Sequence, residues 1–552
     1  MKISRYYFLV LLIVIIGAFL RFFMLADKSL WSDEGLSLFF SDGSSIQEFI
    51  KRMFRAETSE KFQPLYFLLL FYWRQLLGNS EFVLRALSAF FGAGAIIIMF
   101  YTTLQLYGKR HALWSVILMS VSSYCIYYSQ QMRPYGLLLF LAALQLYFFS
   151  KALNEAETED KVIWRVLFGI VTGIGLFGSI FIGIFALALC LAYILVYRNP
   201  KRWLQWWIPT ALFCLPAASY IIFSSSVATD PSKGIFSPLR QPIIANAAFV
   251  IYGLLVGETY GPPIEGLRGD NKMQILLGYW PQLAVLLLVV IPIFVALVMR
   301  LRQQLESKKS QKTDYFFAAL FVISFFLAFL FTVAAKKTNW LPRHSFYIYI
   351  PLVVLIPLVI KNKYRDRKPL QEIVFQIARP AIIALVILNI YSNYNYYFVE
   401  NYQRDDYRSA AKYLLANQKP SVKSIMLFGT SNLLSYYGYG NSIDLPDANS
   451  ADWKKESLAE KVMSLTNDAE TVFITLNFES YWEWKNQISV EKAMSDLYTK
   501  QSKVSYTNFS IYRFLRKQKV TIAPSFNCVP QISKGIGHID ILASESRSQE
   551  HI

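Results

Sequence analysis

Residues 276–299 read LLGYWPQLAVLLLVVIPIFVALVM, and this run holds no Asp, Glu, Lys or Arg. A helix needs about 20 mostly apolar residues to cross the hydrocarbon core of a bilayer, so the run is long enough to span a membrane. The rest of the chain has the same character, because 55% of its 552 residues are hydrophobic. A soluble protein of this length would carry far more polar surface. The sequence therefore predicts an integral membrane protein.

Apolar runs of about this length recur along the chain and predict about eleven transmembrane helices in a polytopic α-helical protein. They cover residues 6–25, 86–106, 112–128, 135–150, 166–178, 180–197, 204–223, 276–299, 315–335, 345–360 and 376–391. Two shorter apolar segments, 64–77 and 242–256, are predicted to lie at the membrane interface or to dip into the protein.

The basic residues indicate the orientation of these spans. The formal net charge is +18, and Lys and Arg gather in the short segments between apolar runs. With the N-terminus inside, every predicted inner loop is basic, which satisfies the positive-inside rule. We therefore expect a multi-pass protein of the cell inner (plasma) membrane. No surface interleaves basic and aromatic residues in the manner of a nucleic-acid site, so no nucleic-acid partner is predicted.

This orientation leaves three long segments outside the membrane, and the last of them has the composition of a soluble domain. A helix is predicted over 405–415, with strands over 424–428, 471–476 and 505–514. The predicted domains are a transmembrane domain at 1–392, a small extracytoplasmic α/β domain at 393–517, and a disordered tail at 518–552.

The first outer segment carries two adjacent carboxylates, Asp33 and Glu34, close to the membrane surface. One interpretation is structural, since Ser32 and Asp33 would cap a helix that begins at Gly35. The other is catalytic. Sugar transfer with inversion needs a carboxylate that removes the proton of the acceptor hydroxyl, and we predict this role for Asp33, with Glu34 beside it.

Several cations are predicted at the same depth of the membrane, where a departing phosphate would need positive charge. They are Arg85 and Arg133, at the outer ends of the second and third spans, and Lys336, Lys337 and Arg343, between the ninth and tenth. Arginine suits bidentate phosphate contacts, and lysine acts as a point charge. Contact with lipid headgroups is the alternative for each one taken alone. Their number on this side favours phosphate binding.

Four further residues are candidates for substrate contacts. Tyr135 follows Arg133 and Pro134, and His344 follows Arg343. Glu258 and Tyr260 lie in an outer Gly- and Pro-rich segment, for which an ordinary turn is the alternative. For His344 the alternative is a hydrogen-bonded structural histidine. No group of acidic, His or Cys residues has metal-ligand spacing, so no cofactor is predicted, and a divalent cation is left open.

Together these motifs resemble the GT-C membrane glycosyltransferases, in particular the bacterial branch related to protein O-mannosyltransferases and to lipid A aminoarabinose and galacturonic-acid transferases. The resemblance is good over residues 5–200 and follows general layout beyond. The motifs that carry it are Asp33-Glu34, Pro64-Leu65-Tyr66-Phe67, Gly78 with Arg85, Tyr128-Ser-Gln-Gln-Met-Arg-Pro-Tyr135, and Arg404-Asp-Asp-Tyr-Arg408 before a helix.

The resemblance implies a sugar donor linked through phosphate to a polyprenol, which enters from the bilayer. The acceptor, a glycan, lipid or protein, would approach from outside. Asp33-Glu34 matches the family's catalytic acidic position, and Arg85 and Arg133 match basic positions near it. The chain departs from the family pattern at one place. Before the interfacial helix the family commonly has an acidic residue, then His or Lys, then Pro-Pro, whereas this chain has Lys61-Phe62-Gln63-Pro64.

The predicted function is therefore an inverting glycosyltransferase whose active site faces the extracytoplasmic side. The alternative is a transporter or flippase of lipid-linked glycans. That alternative predicts charges near the middle of the bilayer, broken helices and internal repeats. The predicted spans are almost free of charge at their centres, which favours the enzyme.

Overall fold

The structure is a computed structural model that describes most of the chain. The described residues are 3–55, 59–154, 162–226, 243–263, 267, 272–306, 312–335, 340–360, 369–420, 422–445, 457–467 and 469–517. The helices are α1 Ile3–Phe22, α2 Ser32–Phe40, α3 Ile46–Arg55, α4 Pro64–Leu77, α5 Glu81–Tyr107, α6 Lys109–Val121, α7 Ser123–Ser129, α8 Tyr135–Asn154, α9 Val162–Leu176, α10 Ile180–Tyr197, α11 Pro200–Ser226, α12 Ile243–Val256, α13 Lys272–Gly278, α14 Trp280–Glu306, α15 Lys312–Ala335, α16 Phe346–Leu355, α17 Pro369–Phe398, α18 Tyr407–Ala416, α19 Ser431–Tyr436, α20 Leu458–Leu465, α21 Glu479–Asn486 and α22 Val490–Met494. The strands are β1 Val422–Phe428, β2 Ser442–Asp444, β3 Thr471–Asn477, β4 Tyr498–Tyr506 and β5 Phe509–Arg516.

The helices confirm a multi-spanning membrane protein. Among the described residues, seven helices are long and apolar enough to cross a bilayer, and the pair α6 and α7 makes an eighth if it counts as one bent span. The other predicted runs fall on the shorter apolar helices α8, α9 and α16. The predicted number of eleven spans stays a prediction.

The long apolar stretch from 166 to 197 is divided where the sequence indicated, at Gly178-Ser179. Helix α9 ends at Leu176, and α10 begins at Ile180 with Ser179 as its N-cap. The Ser179 hydroxyl accepts a hydrogen bond from the backbone N–H of Phe181 at 3.3 Å. This cap satisfies one of the donors that a helix start leaves free, and so fixes the break.

A second break, between α6 and α7, is stabilised by an arginine buried inside the bundle. The two helices meet at 53°. Arg21 is fully buried and donates to the carbonyls of Gly17 and Met119, at 2.7 and 3.0 Å, and to that of Ser120 at 3.3 Å. Carbonyls that lose their helical partner inside a membrane need another donor. The break redirects the chain so that α7 delivers residues 130–134 to the site described below.

The C-terminal sheet has the strand order β2-β1-β3-β5-β4. Strands β2, β1 and β3 are parallel, whereas β5 runs antiparallel to both β3 and β4. The single strand predicted over 505–514 is wrong, because this segment turns at Thr507-Asn508 between β4 and β5. Asn508 takes the left-handed backbone conformation (φ +53°) that the reversal requires.

The carboxyl edge of the parallel strands faces α2 of the first loop. A Cβ atom added at Gly35 of α2 would lie 2.7 Å from Cγ2 of Thr430, just after β1, and 3.0 Å from Cγ of Leu433. Contacts this close leave no room for a side chain at position 35. The small domain is therefore packed directly on the helix that carries Asp33 and Glu34.

Candidate active site

Helix α2 holds both predicted carboxylates in its first turn. It begins at Ser32, three residues earlier than the structural interpretation of the sequence supposed, with Trp31 as its N-cap. Negative side chains are favoured at this end of a helix by its dipole. The two side chains have different surroundings, because that of Asp33 is 27% exposed and that of Glu34 is fully buried.

Glu34 forms a buried ion pair with Arg85. The guanidinium donates from Nε and Nη2 to the two carboxylate oxygens, at 2.9 and 2.6 Å. Its remaining N–H groups bind the backbone carbonyls of Leu25, Lys28 and Ser29 at 2.7–3.0 Å. All five N–H groups of Arg85 are thus in use. Arg85 therefore has no N–H group left for the predicted contact with the phosphate of the sugar donor.

Glu34 is also fully engaged. Besides Arg85, its carboxylate accepts the backbone N–H groups of Met132 at 2.8 Å and Trp31 at 3.3 Å. These bonds join α2, α5 and the loop before α8 into one unit. These contacts favour a structural role for Glu34 and Arg85 in holding the site together, and their chemical role stays a prediction.

Asp33 lies where two of the predicted cations meet. Arg343 donates from Nη1 to Oδ2 of Asp33 at 2.8 Å. Arg133 donates from Nη1 to the backbone carbonyl of the same residue at 3.1 Å. The three residues come from distant parts of the sequence, as the prediction of a shared membrane depth requires. Their side chains form one cluster of a partly exposed carboxylate and two guanidinium groups.

Both guanidinium groups keep an unused donor. Arg133 is 8% exposed, and its Nη2 donates to Oε1 of Glu60 at 2.9 Å. The Nε atoms of Arg133 and Arg343 are buried and have no hydrogen-bond partner among the described residues. An unpaired buried donor is costly unless a ligand satisfies it. This pair of free donors is the feature of the site that fits an anionic group.

The sequence did not single out Glu60 or its neighbour Lys61 as site residues, and the structure shows both to be only 6% exposed. Glu60 binds Arg133, and the backbone carbonyl of Lys61 accepts from the hydroxyl of Tyr220 at 2.7 Å. The available signal was an acidic residue followed by Lys before α4, a pattern that the resemblance implies there. Phe62 and Gln63 separate this pair from the proline of α4, and that shift hid it.

A small cavity lies next to this cluster, between α7, α8 and the start of α16. Its wall includes Arg343 together with Tyr124, Tyr128 and Tyr135. The rings of Tyr128 and Tyr135 meet edge to face at 5.1 Å. The hydroxyl of Tyr128 donates to the carboxylate of Glu258. Tyr135 thus lines the cavity, whereas Glu258 contacts the lining residue Tyr128.

Tyr260 lies away from the cavity. Its hydroxyl donates to the carbonyl of Gln282 at 3.1 Å, and its ring contacts that of Tyr391 at 5.9 Å. Tyr260 itself belongs to a buried apolar cluster that includes residues of α14 and α17. These contacts favour the ordinary structural turn, and the contact between Tyr260 and the substrate stays a prediction.

His344 lies beside the guanidinium groups and stacks on the ring of Phe181, with centroids 5.3 Å apart. Burial, with the positive charges of Arg343 and Arg133 nearby, lowers the pKa of His344 to about 3. The imidazole is therefore neutral near pH 7. The two remaining predicted cations, Lys336 and Lys337, lie outside the described residues.

The low pKa of His344 predicts a contribution to acid sensitivity. An unfolded histidine has a pKa near 6.5 and takes up a proton there, whereas the folded imidazole stays neutral down to about pH 3. Stability from this residue is therefore complete above about pH 6.5 and is lost as the pH falls from there towards 3. We expect His344→Gln to melt with a shallower pH dependence than wild type between pH 6.5 and 4. Parallel curves for the two proteins would contradict the neutral, buried assignment.

Within the described residues, no three His, Cys, Asp or Glu side chains lie close enough together to hold a metal ion. The charged groups of the cluster are the carboxylate of Asp33, which Arg343 contacts, the guanidinium groups of Arg133 and Arg343, and the carboxylate of Glu60 paired with Arg133. Such an arrangement can accept a proton and bind an anion side by side.

Comparison with known proteins supports a relation at the level of one sequence segment and of the whole fold. Residues 62–224, from the start of α4 nearly to the end of α11, match the family model described as dolichyl-phosphate-mannose-protein mannosyltransferase. No curated protein matches the chain by sequence at a significant level.

Solved structures resemble the chain over nearly its whole length. The crystal structure of ArnT from Cupriavidus metallidurans bound to undecaprenyl phosphate is 12% identical, with a TM-score of 0.54, covering 91% of this chain and 97% of that one. Its apo state is 11% identical with a TM-score of 0.57 over the same shares. The Archaeoglobus fulgidus oligosaccharyltransferase with Zn and sulfate is 11% identical, with a TM-score of 0.50, covering 91% and 72%. The chain therefore shares the fold of ArnT and of the oligosaccharyltransferase, which agrees with the resemblance to the GT-C membrane glycosyltransferases that its motifs indicated.

Proposed function

We propose that this GT-C glycosyltransferase transfers a sugar from a polyprenyl-phosphate donor to an acceptor on the extracytoplasmic side, with inversion at the anomeric carbon. The observation that carries the proposal is the cluster of Asp33 with Arg133 and Arg343. It sets a partly exposed carboxylate against two guanidinium groups that each keep a buried, unpaired Nε–H. The binding of undecaprenyl phosphate by ArnT, which shares this fold, supports a lipid-linked donor.

In the proposed reaction Asp33 is the general base. Its carboxylate accepts the proton of an acceptor hydroxyl while the oxygen attacks the anomeric carbon. The bond between that carbon and the phosphate oxygen breaks, and its electron pair stays on the polyprenyl phosphate. Because phosphate leaves readily, no carboxylic acid is needed to protonate it, unlike in glycosidases.

The departing phosphate would be held by Arg133 and Arg343. A guanidinium binds phosphate oxygens through paired, charge-assisted hydrogen bonds, which are stronger than neutral ones. We add Lys61 as a candidate third cation, because it directly follows Glu60, which pairs with Arg133. We keep Lys336 and Lys337 as candidates from the same loop as Arg343.

The position of the cluster supports the proposed side and the entry route of the donor. Asp33, Arg133 and Arg343 come from three segments that the charge pattern predicts outside the membrane, and the structure brings them into contact. A polyprenyl chain could lie in the bilayer while its phosphate reaches this end of the bundle. A transporter would instead need charged groups along a path through the membrane.

The direct test is to follow a labelled sugar from donor to acceptor. The purified protein would be given a panel of polyprenyl-phosphate sugars together with cell-envelope fractions separated into lipid, glycan and protein. We expect one donor to lose its label to one fraction, with release of polyprenyl phosphate in equal amount. Consumption of a nucleotide sugar, with no lipid-linked donor used, would contradict the proposal.

Removal of one guanidinium should weaken donor binding. We expect Arg343→Gln to lower the affinity for polyprenyl phosphate about 10- to 100-fold, because a charge-assisted hydrogen bond contributes about 1.5–3 kcal/mol. Binding would be measured with the labelled lipid in detergent. Arg52→Gln is the matched control, since Arg52 pairs with Glu48 and Asp42 in the same loop segment and makes no contact with Asp33. Equal loss in both variants would point to general charge and not to a site.

A further inference from the structure

We propose that the C-terminal domain positions the catalytic carboxylate through the polar side chains of Ser32, Asp405 and Asn477, so that the domain is part of the catalytic apparatus. This inference rests on the proposed role of Asp33. Ser32 is the first residue of α2 and directly precedes Asp33, whereas the other two residues belong to the C-terminal part of the chain.

The three side chains are joined to one another by hydrogen bonds, and the Ser32 hydroxyl also lies 3.2 Å from that of Tyr407. Nδ2 of Asn477 donates to Oγ of Ser32 at 2.8 Å and to Oδ2 of Asp405 at 2.7 Å. The Ser32 hydroxyl donates to the same Oδ2 at 3.0 Å, and the Ser32 backbone N–H approaches it at 3.4 Å. Asp405 is 1% exposed and Asn477 is fully buried. Bonds to a buried carboxylate are among the stronger ones, so the set fixes the start of α2.

The backbone beside Asn477 is held in an unusual conformation. Phe478 has a left-handed backbone (φ +50°), as does Asn508, and the N–H of Phe478 donates to the carbonyl of Asn508 at 3.1 Å. Residues other than glycine adopt this conformation at a cost, and they keep it where the surrounding structure requires it. Here the turn between β4 and β5 holds the end of β3 so that Asn477 faces Ser32.

The location on the sheet supports the same conclusion. Open α/β sheets bind their ligands outside the carboxyl ends of parallel strands. In this domain those ends, after β1 and β3, are filled by α2 of the transmembrane part. Gly35 touches Thr430 after β1, and Ser32 touches Asn477 at the end of β3. The helix that carries the proposed base thus lies where such sheets usually bind a ligand.

The start of α2 is held from two sides. The helical bundle binds it through Glu34, which contacts Arg85 and Met132, and the C-terminal domain binds it through Ser32. The contacts of Ser32 do not include the proposed phosphate-binding residues Arg133 and Arg343. A shift of about 1 Å in a catalytic group can cost about 100-fold in rate. Loosening the Ser32, Asp405 and Asn477 contacts should therefore lower kcat and leave the KM for the donor unchanged. These three are positioning residues.

An exchange of two side chains tests the inference. Asn477→Asp sets two carboxylates against each other, and we expect kcat to fall at least about 10-fold with an unchanged donor KM. The double variant Asp405→Asn with Asn477→Asp restores a donor opposite an acceptor, and we expect it to recover most of the lost kcat. Ser32→Ala, which removes one hydroxyl, should give a smaller loss. A double variant as slow as the single one would overturn the inference.

The neighbouring Asp406 supplies the matched control. Its carboxylate caps α18 by accepting the N–H of Ser409 at 3.0 Å, and it makes no contact with Ser32. Asp406→Ala should lower the melting temperature and leave kcat unchanged. A fall in kcat equal to that of Asn477→Asp would mean that only domain stability matters, which contradicts positioning.

Hydrogen exchange separates failure of this inference from failure of the proposed function. Asn477→Asp should speed exchange at the backbone amides of residues 34–38, whatever the chemistry of the site. If Asn477→Asp exchanged faster while Asp33→Asn kept full activity, the proposed role of Asp33 would be rejected, and the docking of the C-terminal domain on α2 would stand. Unchanged exchange would reject the docking itself.

Discussion

Asp33→Asn is expected to slow sugar transfer by at least about 100-fold, the typical contribution of a general base. The amide has nearly the shape of the carboxylate but cannot take the proton of the acceptor hydroxyl. Donor binding should be largely retained, because Arg133 and Arg343 contact the phosphate in the proposed complex. The effect should therefore appear in kcat and not in the affinity for polyprenyl phosphate.

Asp27→Asn is the matched control for this substitution. Asp27 lies in the same loop, six residues earlier, and its side chain is exposed. Loss of its charge should leave turnover unchanged, so a shared effect of negative charge at this surface can be separated from catalysis. Turnover of Asp33→Asn within twofold of wild type would remove Asp33 from the mechanism.

The helical part of the fold could be predicted because membrane insertion leaves a local record in the sequence. Each span must be apolar over its own length, and each inner loop must be basic, so hydropathy and charge identify the helices one at a time. The sequence signal for the hairpin of β4 and β5 is weaker. Its turn at Thr507-Asn508 holds neither Gly nor Pro, and the apparent strand therefore ran through it.

The grouping of the site residues was predictable, but their individual partners were not. Loops at one depth bring Asp33 near Arg133 and Arg343, and the structure shows these contacts. Whether an arginine faces a substrate or a neighbouring carboxylate depends on distances of about 1 Å. Arg85 was assigned to the phosphate because its position along the chain matched, whereas it is wholly bound to Glu34 and to backbone carbonyls.

The contacts of the C-terminal domain were out of reach of the sequence for a different reason. Asn477 and Asp405 lie 445 and 373 residues from Ser32. They belong to ordinary-looking segments at the end of a strand and before a helix. Nothing local in those segments distinguishes a residue that touches another domain from one that faces solvent.

Glu34→Gln is expected to cause the largest loss of stability of any single substitution in the site. It leaves the buried guanidinium of Arg85 without a counter-charge, and breaking a buried ion pair on one side costs about 3–5 kcal/mol. The apparent melting temperature in detergent should fall strongly, together with the yield of monodisperse protein. The double variant Glu34→Gln with Arg85→Gln should lose less than the sum of the single variants, because the unpaired charge is gone.

Glu48→Gln provides the control for this loss of stability. Glu48 pairs with Arg52 at 2.9 Å on the surface of α3, and exposed pairs contribute little. The melting temperature of Glu48→Gln should match that of wild type.

A comparison with Asp33→Asn is more informative, because the two adjacent carboxylates lie in one helical turn and their substitution should affect different quantities, transfer in one case and stability in the other. Asp33→Asn should melt like wild type and lose transfer, whereas Glu34→Gln should melt at a much lower temperature. If Glu34→Gln kept its melting temperature but lost transfer, the chemical and structural roles of the two residues would have to be exchanged.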